Sequence, residues 1–239
     1  MRKIIGVTGI SGSGKDTCAL AIKELEHDID IFAFAGPLKE ACKILFNFSD
    51  DQLYHPIVKE EHDSRWERSP RQILQWLGTD ILRTHINQDF FVMNMKQRID
   101  QSKANCIIIS DVRFDNEAEF IKSLGGKIIK IERDVTDKSK NSGKTTEHSH
   151  HITEKGISPH LIDAIIQNNS SIEEFQNIVK FVVNKVLFNN SPSHIDFKNP
   201  HNVLLLSRMQ NPPLCKLNKE DQIDLTIGEA NHSNHFTTD

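Results

Sequence analysis

Residues 9–17 read Gly9-Ile10-Ser11-Gly12-Ser13-Gly14-Lys15-Asp16-Thr17. The spacing Gly9-x4-Gly14-Lys15 is that of a P-loop, whose backbone N–H groups cradle phosphates while the lysine reaches the β- and γ-phosphates of a nucleotide. The context the motif needs is present: Ile4, Ile5 and Val7 form a strand-like apolar run, and residues 18–25 carry helical periodicity. Gly9, Ser11, Gly12, Ser13, Gly14, Lys15, Asp16 and Thr17 are therefore the candidates for holding a nucleotide. Asp16 stands where Ser or Thr usually ligates Mg²⁺. An acid in the first helical turn suits the macrodipole whatever its function, but beside a triphosphate it needs a cation between. Asp16 is thus read as a Mg²⁺ ligand, direct or through water, with Thr17 bonding a phosphate oxygen.

A second group follows the apolar run at residues 106–110, which ends in Asp111-Val112-Arg113-Phe114-Asp115-Asn116-Glu117. Ligands of open α/β sheets lie beyond the carboxyl ends of strands, so Asp111 is placed to hold Mg²⁺ or orient a nucleophile. The alternative is an acid that caps the following helix. Arg113 offers a planar fork matched to phosphate oxygens, or else forms a surface ion pair with Glu117.

A third group is cationic. Arg65, Arg68 and Arg71 surround Pro70, and Arg71, Gln75, Thr79 and Arg83 share one helical face by their spacing of four. Such a stripe can hold a phosphate at one end and a base edge at the other, or it can be a solvated face. Arg133, just past a strand, is a candidate for phosphates or for stacking on adenine. His148, His150 and His151 lie in a polar stretch without a supporting Cys or paired histidine, and read as solvated loop residues rather than metal ligands.

These residues have to be positioned by alternating elements. Strands are expected at residues 3–8, 29–34, 106–110, 127–132 and 161–166, and helices near 18–25, from Pro37, at 69–84, 89–99, 116–124 and 171–188. The last begins with Ser171-x-x-Glu174, a capping-box signature. Alternating strands and helices imply a parallel sheet covered on both faces. Residues 134–156 are polar and longer than an ordinary connection. The stretch after about 189 has four of the eight prolines and no sustained periodicity, and is expected to be disordered.

Length and composition narrow the class. The 239 residues suffice for one well-buried α/β domain, and a net charge of −4 spread along the chain argues against a surface for duplex nucleic acid. Cys18, Cys42, Cys106 and Cys215 are far apart, which suggests neither a disulfide framework nor a zinc site. The first strand starts at once and no apolar run could span a membrane, so neither a signal peptide nor membrane association is expected, and the reading is a reduced, soluble, cytoplasmic protein.

Taken jointly, several motifs resemble a known group. They are Gly14-Lys15-Asp16-Thr17; Phe34-Ala35-Gly36-Pro37-Leu38-Lys39-Glu40; Pro70-Arg71-x-x-Leu74-Gln75-x-x-Gly78-Thr79-x-x-x-Arg83; Asp111-Val112-Arg113-Phe114-x-Asn116-Glu117; and residues 148–168. In order and spacing these resemble the deoxynucleoside monophosphate kinases of tailed bacteriophages and large DNA viruses, over roughly residues 1–187. The resemblance implies an α/β fold of the P-loop NTPase and NMP-kinase type: three layers, a parallel five-stranded sheet, a helical acceptor-binding insertion at about 36–101 and a lid at about 134–156. The kinase domain would span 1–188, with 189–239 a tail outside the resemblance.

The same resemblance implies transfer of the γ-phosphoryl of ATP to a deoxynucleoside monophosphate, with Mg²⁺, in the cytoplasm of the host cell if the chain is viral. Residues 9–17 and Arg133 would hold ATP, and Lys39, Arg65, Arg71, Gln75, Thr79 and Arg83 would lie in the monophosphate site. Lys15, Asp16, Asp111 and Arg113 would act on the transferring group, Asp16 and Asp111 through the metal. Small molecules are the implied partners, and a homodimer is left open. The lid is histidine-rich rather than arginine-rich, which departs from the family pattern. Two rival readings stay open at this stage. One is a P-loop kinase for another phosphorylated acceptor, such as dephospho-coenzyme A or phosphomevalonate; the other is a regulatory protein that binds ATP without transfer.

Overall fold

The computed structural model describes residues 2–25, 28–134, 156–187 and 215–217. Strand β1 (Lys3–Thr8) leads through the glycine loop into helix α1 (Lys15–Lys23). After β2 (Ile29–Phe32) come α2 (Gly36–Leu45), α3 (Asp50–Tyr54) and a short 3₁₀ turn (Val58–Glu60). Helix α4 (Pro70–Gln75) and α5 (Phe90–Gln101) complete this helical insertion. The chain re-enters the sheet with β3 (Cys106–Val112), α6 (Asp115–Ser123) and β4 (Lys127–Glu132). It ends with β5 (Ala164–Gln167), α7 (Ile172–Phe181) and β6 (Cys215–Leu217). Among the described residues no helix is long and apolar enough to cross a membrane.

The strand order is β2-β3-β1-β4-β5-β6, and the first five strands are parallel. The isoleucine-rich strands predict this burial on both faces. Alternate side chains go to opposite layers: Ile5, Val7, Ile108, Ile129 and Ile131 pack under α1 and α7, while Ile4, Ile107, Ile109 and Ile128 pack under the insertion helices and α6. Each such isoleucine, essentially removed from water, contributes roughly 1.5–3 kcal/mol relative to an exposed one. The architecture is the expected three-layer α/β sandwich with its parallel five-stranded sheet.

Several features differ from the expected elements. Helix α3 and the 3₁₀ turn after it are not among those expected, and β5 begins at Ala164 rather than at residue 161. The predicted helix at 69–84 starts as read, with Ser69 capping the N–H of Gln72 and Pro70 in the first turn, but from Trp76 to Ile86 it continues with the wider i→i+5 winding of a π-helix. The last helix likewise widens after Phe181, over Val182–Leu187. Finally, β6 pairs antiparallel with β5, adding a strand inside the tail that the sequence reading leaves without elements. Three residues are too few to show a period. What recruits them is the unpaired backbone edge of β5, which any extended segment can satisfy. Residues 135–155 of the expected lid at about 134–156, with its histidines, and the remaining tail lie outside the described residues.

Because β1 lies between β3 and β4, the chain turns to one side of β1 for the insertion and later to the other. A crevice opens where the order reverses, beyond the carboxyl ends of β1 and β3. Thr8, the last residue of β1, is level with Val112 of β3 and Lys130 of β4. The register therefore brings the glycine loop beside Asp111 and Arg113, which are about a hundred residues away in sequence.

Candidate active site

The loop between β1 and α1 keeps its shape through conformations that glycine alone adopts without strain: φ is 147° at Gly9 and 104° at Gly14. At both positions there is also no room for a side chain. A Cβ on Gly9 would meet the carbonyl oxygen of Ile131 at 2.4 Å, and one on Gly14 would meet Nδ2 of Asn168 at 2.3 Å. That amide donates to the carbonyl of Ser13 at 2.7 Å, and the Asn168 backbone N–H donates to Glu132 at 2.7 Å. The loop is thus clamped by β4 on one flank and by the end of β5 on the other. Lys15 Nζ donates to the carbonyls of Gly9 and Ile10 at 2.8 and 2.7 Å, which holds the ammonium across the mouth of the loop.

Whether these residues suit a polyphosphate can be judged from the loop itself. Gly12 faces open space, the hydroxyl of Ser13 is buried with no hydrogen-bond partner among the described residues, and α1 directs its N-terminus at the same spot. An open ring of amides with a spare hydroxyl and a cation fits an anion of this kind. Ser11 and Asp16 are exposed on the loop and the first turn of α1, and Thr17 is half-buried. Among the described residues no three His, Cys, Asp or Glu side chains come together as a metal cluster. Mg²⁺ commonly takes only one or two carboxylates and completes its shell with phosphate oxygens and water, so Asp16 with Asp111 is a donor set that fits it.

Beside the loop lies a cleft of about 820 Å³ counted to its open mouth. It gathers Lys39, Arg71, Gln75, Thr79 and Arg83 with Asp111 and Arg113. The π-type winding helps keep the stripe in line. In an α-helix a residue four positions on lies about 40° past a full turn, and the wider winding turns less per residue and cancels that drift. Phe34, Leu38, Leu74 and Phe91 supply an apolar wall. Burial pushes the Lys39 ammonium below its ordinary value, opposed chiefly by the charge of Asp111, and its Nζ sits 4.1 Å above the Tyr54 ring.

Two of the predicted residues lie outside the cleft; for Arg65 that departs from the expected place in the monophosphate site, whereas Arg133 is expected on the ATP side. Arg65 does not line the cleft: its guanidinium grips Asp63 on the surface, and the paired Arg65 holds the Asp63 carboxyl well below the usual range. An Arg and an Asp two residues apart across a tight turn meet locally, and that contact wins over a longer reach to the cleft. Arg133 is exposed past the end of β4, outside the cleft and on the flank where β4 meets the glycine loop.

Asp111 points into the cleft but is also a strut. Its Oδ1 accepts the N–H of Phe34 at 2.6 Å and its Oδ2 that of Ala35 at 3.0 Å, which ties β3 to the turn that starts α2. Each oxygen keeps a further lone pair. It therefore braces the turn before α2 and does not cap the following helix, the alternative that the sequence offers for it.

Lys59 and Phe91, which the sequence reading does not single out, also line the cleft, the former from the 3₁₀ turn, and no spacing pattern marks them. Phe34 and Phe114, which the sequence offers only as members of motifs, line its walls. Glu117, read as a surface partner for Arg113, is instead 1% exposed and bonded to Arg83 at 2.5 Å. Burial pushes its carboxyl up to about 7, with Arg83 pulling down and Asp111 pushing up.

A P-loop facing a cationic cleft across one sheet crevice is the geometry of a two-substrate phosphotransferase. The model of a protein family described as deoxynucleotide monophosphate kinase matches residues 46–179, more than half of the chain. This chain belongs to the deoxynucleotide monophosphate kinase family. A protein of Acanthamoeba polyphaga mimivirus, provisionally named a deoxynucleotide monophosphate kinase, is 37% identical over 185 residues that cover 72% of this chain and 91% of the relative. The deoxynucleoside-5'-monophosphate kinase of Escherichia phage T5 is 27% identical over 242 residues, covering 73% of this chain and 95% of that one. Among solved structures, dephospho-CoA kinase from Campylobacter jejuni covers 80% of this chain and all of its own at 15% identity and a TM-score of 0.43, too distant to bear on the acceptor. As a member of the deoxynucleotide monophosphate kinase family, the chain is a kinase that acts on small molecules.

Proposed function

We propose that this kinase moves the γ-phosphoryl of ATP onto a phosphate oxygen of a deoxynucleoside monophosphate, giving ADP and the deoxynucleoside diphosphate. One observation carries the reading: the register of β1 on β3 sets the loop with Lys15 beside Asp111 and Arg113, which line the cleft together with Arg83. A phosphoryl donor in the loop and an anionic acceptor in the cleft would meet there. In this reading residues 9–17 hold the triphosphate and exposed Arg133 contributes on the ATP side. Lys39, Lys59, Arg71, Gln75, Thr79 and Arg83 hold the acceptor.

Phosphoryl transfer leaves the protein little covalent work, so positioning and charge neutralisation dominate. The acceptor oxygen is already ionised near neutral pH, and no strong general base is required. Lys15 reaches the β- and γ-oxygens, and Arg113 faces the charge that develops between donor and acceptor. Asp16 and Asp111 would hold Mg²⁺, which when bound supplies charge neutralisation on the phosphates. Asp111 also fixes the turn that carries Phe34 into the acceptor wall, so one carboxylate would serve both half-sites. The apolar wall of the cleft excludes water and favours a flat base.

A coupled ADP-release assay with Mg-ATP and a panel of deoxy- and ribonucleoside monophosphates tests this. We expect release that depends on a deoxynucleoside monophosphate, with Lys15→Ala lowering turnover at least ~100-fold, on the scale of losing a transition-state donor. ATP consumption that ignores every monophosphate, or a fully active Lys15→Ala enzyme, would defeat the proposal.

A further inference from the structure

We infer that Glu117 is a positioning residue of the acceptor site, fixing the guanidinium of Arg83 and the backbone at Arg113 as one preorganised unit; the inference rests on the proposed monophosphate acceptor. Each of its oxygens has a separate task. Oε1 accepts from Arg83 Nη2 at 2.5 Å, whereas Oε2 accepts the N–H groups of Arg113 at 2.8 Å and Phe114 at 3.2 Å. The backbone contacts cap the start of α6, an ordinary use of an acid in the first helical turn. Capping does not require the arginine.

Arg83 is held on its other sides as well. Its guanidinium carbon lies 4.5 Å from the ring centre of Phe91 and 4.1 Å from that of Phe114, Nη1 donates to the carbonyl of Gln88 at 3.4 Å, and its side chain is 11% exposed. Both arms of the cluster border the cleft. A buried ion pair is seldom retained for stability, since well-packed apolar groups do as well, whereas removing one partner strands the other charge. What the pair does achieve is a cation whose orientation is settled before the substrate arrives. An arginine with its rotamers already fixed loses less entropy on binding an oxyanion than a solvated one. Because Phe114 both stacks on Arg83 and follows Arg113, the carboxylate sets the relation between two cations contributed by different elements.

Glu117→Gln separates the two tasks. The amide oxygen can still accept from the backbone N–H groups, but its NH₂ turns a donor toward Arg83, so the cap survives and the orientation is lost. We expect KM for the deoxynucleoside monophosphate to rise roughly 10- to 100-fold, the scale of one charge-assisted contact. KM for ATP should change by less than about twofold, with folding retained by circular dichroism. Arg83→Lys, which keeps Glu117 as the cap, is expected to give a similar KM rise, and the double variant to be no worse than the weaker single, the signature of coupled residues. Equal effects on both KM values, additive effects in the double variant, or an unchanged KM with only a lower melting temperature would overturn the positioning role. If the wild type shows no monophosphate-dependent ADP release, the acceptor proposal itself fails. An active wild type with an unaffected Glu117→Gln enzyme defeats this inference alone.

Discussion

The side-chain amide of Asn168 hangs from the end of β5 and donates to the carbonyl of Ser13 at 2.7 Å, joining the two ends of the domain at the glycine loop. The contact crosses 155 residues of sequence and leaves no room for a Cβ on Gly14. It engages one loop carbonyl and so steadies the peptide that precedes Gly14. Asn168→Ala should therefore weaken ATP binding more than it weakens the fold. A single hydrogen bond of about 1 kcal/mol corresponds to a KM for ATP roughly 3- to 10-fold higher in steady-state kinetics. Asn169→Ala, whose side chain bonds Asp134 instead, should leave that KM within about twofold, since sites without shared partners act independently.

The glycines of the loop are not equivalent. Gly9→Ala would press a methyl group against the backbone oxygen of Ile131, which cannot step aside, whereas Gly12 faces open space and carries only the strain of its φ of 77°. We expect Gly12→Ala to fold and to lower the melting temperature by roughly 2–4 °C, from about 1 kcal/mol of backbone strain. Gly9→Ala should fall much further or fail to accumulate as soluble protein. Thermal denaturation of the two variants side by side checks the ordering.

The arginines around Pro70 divide in the same way. Arg71 lines the cleft and donates to Glu60 at 2.5 Å, and Arg65 is engaged with Asp63 at the surface. Arg71→Ala should raise KM for the monophosphate by roughly 10- to 100-fold if it bonds the acceptor by a charge-assisted contact. Arg65→Ala should leave that KM within about twofold, since Arg65 does not line the cleft. A large effect at Arg65 would mean that the insertion closes on the substrate in a different arrangement.

Glu117 also makes stability depend on pH in a way whose sign can be worked out. Its carboxyl is raised from 4.5 to about 7, so the folded state holds the proton more tightly than the unfolded chain does. The groups that face it are Arg83 from the extension of α4, which opposes the shift, and Asp111 of β3, which adds to it. The resulting contribution is complete below the unfolded value and is lost as pH rises through 7. Glu117→Gln removes this dependence, so its melting temperature should gain on the wild type between about pH 5 and about pH 8. A constant gap across that range would contradict the assignment.

The sequence by itself determined the glycine loop, the alternation of strands and helices and the stripe Arg71, Gln75, Thr79, Arg83. Each is a local pattern: a motif of nine residues, apolar runs of strand length, and a spacing of four along one helix. Local chemistry is enough to specify these because turn conformation and side-chain periodicity are set by neighbouring residues. The family resemblance was legible for the same reason, since it rests on short motifs in a given order.

Only the tertiary structure decided which of the polar residues share a site. Arg65 and Arg71 are alike as letters; Arg65 is held by its chain neighbour Asp63, whereas only packing shows that Arg71 lines the cleft. Asp111 reads as an isolated acid until the register of β3 shows its oxygens bound to Phe34 and Ala35. Glu117 looks like one more helix-surface acid, and becomes a buried side of the cleft because Arg83, from the extension of α4, packs on it and on Phe114 at the start of α6. Burial and long-range pairing depend on how the layers close together. No window of sequence contains that information, and it is what turns ordinary charges into a site.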